Sequence, residues 1–192
     1  MIDYKTFKKS YLNEWVDQSQ AARKAAEELA MKEVKPSLRD KYAYKDINQN
    51  LVFTLDGHKV EFKGENEKNP KDPEYNFFTY DEAIKCFGEP DLKDGWRLPT
   101  LKELRALKND YPYGFDKISE QGVIDGRLYL PAASFCDCSG NVGDVGESGN
   151  YWSSTPTESN NAWSLYFYQG GAVTDYDSRC YGLSVRLVRD VK

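Results

Sequence analysis

Trp163, Leu165 and Phe167 alternate with Ser164, Tyr166 and Tyr168. Only an extended strand, which sends neighbouring side chains to opposite sides, gathers the first three on one face. Gly170-Gly171 follows as a turn. Val185 and Leu187 then alternate with Ser184, Arg186 and Val188 in a further strand. The same period governs 51–62, where Leu51, Phe53 and Leu55 precede Asp56-Gly57, and Val60 and Phe62 follow. Asp-Gly supplies the positive φ that a tight hairpin needs.

Two short helices interrupt this pattern. Thr79 and Glu82 form a capping box ahead of Ala83, Ile84 and Phe87, with Gly88 as the stop. Thr100 and Glu103 repeat the device ahead of Leu104 and Leu107. Residues 109–150 read as irregular loop, with Gly140, Gly143, Gly146 and Gly149 at every third position. These glycines lack the Lys and Ser/Thr of a phosphate loop. Asp137, Asp144 and Glu147 offer carboxylates that could hold calcium, but the preferred reading is a solvated acidic loop. Ahead of all this, residues 3–33 predict one long helix. Tyr11, Trp15, Ala22, Ala25 and Leu29 form a narrow stripe suited to packing, attachment or self-association. The domain reading is therefore 1–45 for this helix and 46–192 for the main body.

Charge narrows the partners. Residues 46–192 hold 16 Lys and Arg against 24 Asp and Glu, a net of −8. An acidic body argues against nucleic acid as partner. No run approaches the roughly 20 apolar residues of a membrane span. Met1 to Lys9 lacks the apolar core of a secretion signal. This predicts cytoplasmic synthesis or a phage virion, with a bacterial surface open for a chain cut from a longer precursor. The single histidine, His58, excludes an iron or zinc site built on two histidines of one chain. Beside Asp56-Gly57 it reads as a surface residue. Cys86, Cys136, Cys138 and Cys180 read as free thiols, without the two-residue gap of zinc ribbons or thioredoxin motifs. No metal and no cofactor is predicted.

The informative stretch lies near the end. Tyr166 and Tyr168 face away from Trp163, and Tyr176 and Tyr181 follow near Asp175 and Asp177. Tyrosine gives broad contact with few rotors to freeze. Such residues either cover a second core layer or form a contact surface. Between Lys117 and Lys192 there is no lysine, while Arg127, Arg179, Arg186 and Arg189 remain. Interfaces deplete lysine and keep arginine and tyrosine.

Several separated motifs together carry a resemblance. They are Gly95-Trp96-Arg97-Leu98-Pro99-Thr100, Leu130-Pro131-Ala132-Ala133, Gly149-Asn150-Tyr151-Trp152-Ser153-Ser154-Thr155, and Ala162-Trp163-x-Leu165-x-Phe167. Gly170, Arg179, Gly182 and Ser184-Val185-Arg186-Leu187-Val188 complete the set. Over about 50–190 the chain resembles the major paralogous domain family named from Fibrobacter succinogenes, which is similar to the C-type-lectin fold. The resemblance implies an α+β, C-type-lectin-like fold with two short helices, antiparallel strands and much irregular loop, behind the long N-terminal helix. The ending most resembles the variable proteins of diversity-generating retroelements, with a variable segment at about 150–188. There, adenine-directed mutagenesis of Asn codons yields codons that cannot encode Lys, Glu, Gln, Met or Trp. Those types supply 43 of 192 residues overall but one of 25 in 164–188, namely Gln169. The chain average predicts about five or six.

The resemblance implies that Trp163, Leu165, Phe167, Gly182, Val185 and Leu187 are scaffold. Ser164, Tyr166, Tyr168, Asp175, Tyr176, Asp177, Ser178, Cys180, Tyr181 and Leu183 are the implied ligand-binding positions. Neither Glu-Pro-Asn nor Gln-Pro-Asp, the calcium-lectin tripeptides, occurs. The expected function is therefore non-catalytic recognition of a protein or cell-surface ligand. One alternative is an enzyme of the formylglycine-generating type, which needs a reactive cysteine pair. Another is structural assembly, as a homo-oligomer through the N-terminal helix.

Overall fold

A computed structural model describes residues 49–90, 94–143 and 145–191. The long helix expected over 3–33 lies outside the described residues. Within them the fold is mostly β: three antiparallel sheets of three strands, with two short helices. This corrects the α+β expectation. The reason lies mainly in 109–150, where short strands occupy much of the expected loop.

β1 (Leu51–Leu55) and β2 (His58–Phe62) form the expected hairpin, with Asp56 and Gly57 both at positive φ. Thr79 caps α1 (Tyr80–Phe87) and Thr100 caps α2 (Leu101–Asp110), each with its complete capping box. β3 (Tyr113–Asp116), β4 (Gln121–Ile124) and β5 (Leu128–Pro131) make a small meander. Four residues per strand are too few to show a period against the surrounding Gly and Asp. The largest sheet is β6 (Ser148–Pro156), β7 (Asn161–Tyr168) and β8 (Gly171–Ser178), with β7 central. β9 (Val188–Asp190) joins β2.

Residues 182–188 are buried throughout, yet only Val188 belongs to a strand. Ser184 instead exchanges backbone bonds with β6. Its N–H donates to Asn150 O (3.0 Å), and its carbonyl accepts from Trp152 N–H (3.1 Å). Cys136 N–H donates to Gly182 O (2.9 Å) in the same way. The expected strand at 184–188 is thus a buried run of isolated bridges that satisfies its polar backbone piecemeal.

The core has two parts. One gathers Phe53, Phe62, Leu104, Leu107, Leu165 and Phe167 between α2 and the sheets. The other centres on Trp152, packed with Phe78, Tyr80, Leu98, Leu183 and Val185. The Trp152 indole N–H donates to Phe78 O at 2.8 Å, so its polar edge is satisfied in the interior. The Phe167 ring lies so close over Gly149 that a Cβ there would come within 2.3 Å of it. The glycine that opens Gly149-Asn150-Tyr151-Trp152 is therefore a seat for an aromatic ring.

Cys138 and Cys180 form a disulfide, their Cα atoms 5.2 Å apart, leaving Cys86 and Cys136 free. This corrects the expectation of four free thiols. The pair is 42 residues apart, so spacing could not reveal it. Backbone pairing of Cys136 with Gly182 brings the two segments together.

Candidate functional site

Strand pairing decides which face each candidate occupies. Tyr166 lies opposite Val173, Ser164 opposite Asp175, and Ala162 opposite Asp177. On the other side of β7, Asn150 lies opposite Tyr166 and Ser148 opposite Tyr168. Paired residues share a face, so these side chains form one surface. Trp163 lies opposite Tyr176, which places Tyr176 on the reverse face with Leu165 and Phe167.

The four tyrosines therefore do not form one patch. Tyr166 and Tyr168 stack on each other, with centroids 5.8 Å apart at 20°. Tyr168 is 46% exposed and Val173 is 44% exposed beside them. Tyr176 is 55% exposed but meets Trp163 edge-on at 5.7 Å, near the 157–161 turn. Tyr181 stacks on Phe135 at 5.4 Å against the Trp152 core. The expected single tyrosine face is corrected to a pair on one face, with two separate rings elsewhere. Trp163, expected as scaffold, is only partly buried, and the Arg105 guanidinium lies 5.0 Å over its ring.

Burial divides the remaining candidates. Leu183 and Ser164 are both 0% exposed. Leu183 fills the Trp152 core, and its apolar side chain makes it scaffold. Ser164 donates to Asp177 Oδ2 at 2.6 Å. Asn150 Nδ2 donates to the same oxygen at 3.4 Å. Burial first, and then Asp175 nearby, raises the Asp177 carboxyl above its ordinary range despite these donors. Asn150 Oδ1 has no hydrogen-bond partner. Ser164, Asn150 and Asp177 thus form a polar floor behind the exposed Tyr168, Val173 and Asp175. Cys180 is spent in the disulfide, with Ser178 Oγ 3.1 Å from its sulfur. Ser164, Cys180 and Leu183 are corrected from free display positions to structural ones.

At one end of this surface a cleft of about 470 Å³ opens between Tyr166, Tyr168, Phe115, Lys117, Glu120 and Glu147. The Tyr113 hydroxyl donates to the carbonyl of Tyr168, one of the lining residues, at 2.7 Å. Burial, and then the neighbouring Tyr166 phenol, pushes the Tyr113 phenol well above the usual tyrosine range. The sequence reading missed Glu120, Phe115 and Val173. None carries a motif, and β3 and β8 show no apolar period.

Among the described residues, one set of possible metal ligands converges: His58, Glu103 and Asp190, with ligand atoms within 4.8 Å. Arg97 already occupies the middle of it. Its guanidinium reaches Glu103 at 2.7 and 2.9 Å and Asp190 at 2.8 Å. Burial alone would raise the Glu103 carboxyl, but Arg97 and the Thr100 donors outweigh it and hold it below its ordinary range. The cluster is an ion-pair network that anchors α2 to β9. Asp144 of the acidic loop lies outside the described residues. Asp137, in the same loop, accepts from Ser139 and Asn141 N–H and from Asn141 Nδ2 at 2.8–2.9 Å, as a turn residue does. No helix among the described residues is long and apolar enough to cross a membrane.

The family model for the Lcl C-terminal domain matches residues 57–189. No curated protein and no solved structure matches the chain.

Proposed function

Since the chain belongs to the Lcl C-terminal domain family, we propose that it is a non-catalytic recognition module of the variable-protein type. It binds a protein or cell-surface ligand through the Tyr166–Tyr168 face of the β6–β7–β8 sheet. The observation that carries this reading is the division of β7. Leu165 and Phe167 are locked in the core, while Tyr166 and Tyr168 stack outward beside exposed Val173 and Asp175. A strand held by one face tolerates replacement on the other, which is what a diversified binding surface requires.

The scarcity of Lys, Glu, Gln, Met and Trp in 164–188 supports adenine-directed diversification of this segment. Within it, Tyr166, Tyr168, Val173 and Asp175 are the positions best placed to vary. The cysteines favour recognition over a reactive-thiol enzyme. Cys138 and Cys180 are joined, and burial followed by the charges of Asp137 and Asp72 raises the Cys136 thiol. A nucleophilic cysteine needs the opposite shift.

The test uses fluorescently labelled protein on a panel of intact bacterial cells. Binding should be lost for Tyr166→Ala with Tyr168→Ala and kept for Tyr176→Ala, with all three proteins folded by circular dichroism. Unchanged binding by the folded double variant would refute the assigned face.

A further inference from the structure

The cleft beside the tyrosine pair has a charge and shape that specify more than a contact surface, and this inference rests on the recognition reading. Two carboxylates, Glu120 and Glu147, line it against one ammonium, Lys117. The two tyrosine rings form an aromatic wall. Asp175 extends the negative charge along the same sheet face, two residues from the Val173 that pairs with Tyr166.

The backbone holds Glu120 in place at some cost. Glu120 sits at φ 54°, a left-handed conformation that a residue with a Cβ adopts reluctantly. Its carbonyl accepts from Ala132 N–H at 2.9 Å, and Ala132 O in turn accepts from Gly146 N–H at 2.7 Å. Gly146 also has positive φ, and a Cβ there would fall 2.8 Å from the Glu120 carboxylate. The bare glycine therefore lets that carboxylate lie directly against the 145–147 turn. Glu147 follows at once, so both acids are delivered to one cleft from sequence positions 27 apart.

We propose that this cleft receives an arginine or lysine side chain from a basic segment of the protein ligand. An alkyl stem with a cationic head fits an aromatic wall ending in carboxylates. The ring faces attract the cation, and the carboxylates take its N–H donors. An anionic or purely apolar group would leave the two acids uncompensated. Lys117 is the one ammonium among the described lining residues, and the stretch 118–191, which supplies both acids and both tyrosines, contains no lysine.

The experiment titrates the full chain with a capped hexa-arginine peptide, with capped hexaglutamate as control, at low and at high salt. Hexa-arginine should bind saturably, weaken with salt and outcompete hexaglutamate. Glu120→Gln with Glu147→Gln should weaken binding at least about fivefold. Lys117→Gln should tighten it about twofold. Glu158→Gln, remote from the cleft near the 157–161 turn, should leave it unchanged. Equal binding of the two peptides, or indifference to the double Gln substitution, would overturn the proposal. So would an equal loss in Glu158→Gln, since that reports general acidity and no cleft. Cell binding that needs Tyr166 and Tyr168 but ignores the two glutamates would overturn the cation site alone and leave the recognition face standing.

Discussion

The two faces of β7 obey different rules although their residues alternate one by one. Leu165 and Phe167 meet α2 and the small meander, where every ring has a fixed seat. On the other face, apolar packing gives way to Ser164, Asn150 and Asp177, which bond to one another beneath exposed tyrosine and valine. One face is defined by volume along its length, whereas the other is apolar core at its Trp152–Ala162 end and is defined by hydrogen-bonding capacity only from Ser164 outward. A mutation one residue along the strand should therefore change from a stability effect to a binding effect.

The largest effect tests the volume side. Phe167→Ala removes a fully buried ring and should cost about 3–5 kcal/mol, read by urea unfolding. Gly149→Ala attacks the same contact from the opposite strand and should also destabilise. Next in size is the disulfide that ties the 136–140 loop to the end of β8. Cys138→Ser with Cys180→Ser should cost about 2–4 kcal/mol by the loop-closure argument. The same loss should appear on adding reductant to the native protein.

Smaller is the stability change on the outward face. Tyr166→Ala and Tyr168→Ala should each cost no more than about 1 kcal/mol in thermal unfolding, while recognition falls at least about tenfold. A large stability loss would mean that the rings are core after all.

The smallest effect concerns the polar floor and pH. The Asp177 carboxyl titrates above its unfolded value of about 3.9, so the folded state binds the extra proton in that window. Its contribution is fully present below about pH 3.9 and fades as pH rises through the folded value. Asp177→Asn keeps the acceptor for Ser164 and should remove that decline. Glu103 runs the other way. Its lowered carboxyl stabilises the fold above its unfolded value of about 4.3, and the benefit is lost as pH falls through the folded value. Unfolding curves from pH 3 to pH 7 separate the two, because Asp177→Asn should leave the acid-side loss intact.

Much of the scaffold was legible because its signals are local. The Asp56-Gly57 hairpin, both threonine capping boxes and the two faces of 163–168 each follow from residues within one or two turns of chain. What the sequence hid depends on pairing across distance. β8 has no apolar face, being an edge strand, so Tyr176 looked like a loop residue until pairing set it beside Trp163. Cys138 finds Cys180 only after the chain has returned past Gly182. The cleft draws on β3, the turn before β4, the turn before β6 and β7 together, and no period or motif joins them. Ser164 and Leu183 show the limit of inferring display from alternation or likeness. Both sit in the segment read as variable, and both are buried.

A saturation scan of 161–168 scored by protease resistance tests the central claim most directly. The account predicts a two-residue rhythm at its outer end. Positions 165 and 167 should accept few replacements, 166 and 168 should accept most, and 164 should accept only small polar ones. Substitutions at 166 and 168 that unfold the protein as readily as those at 167 would contradict it.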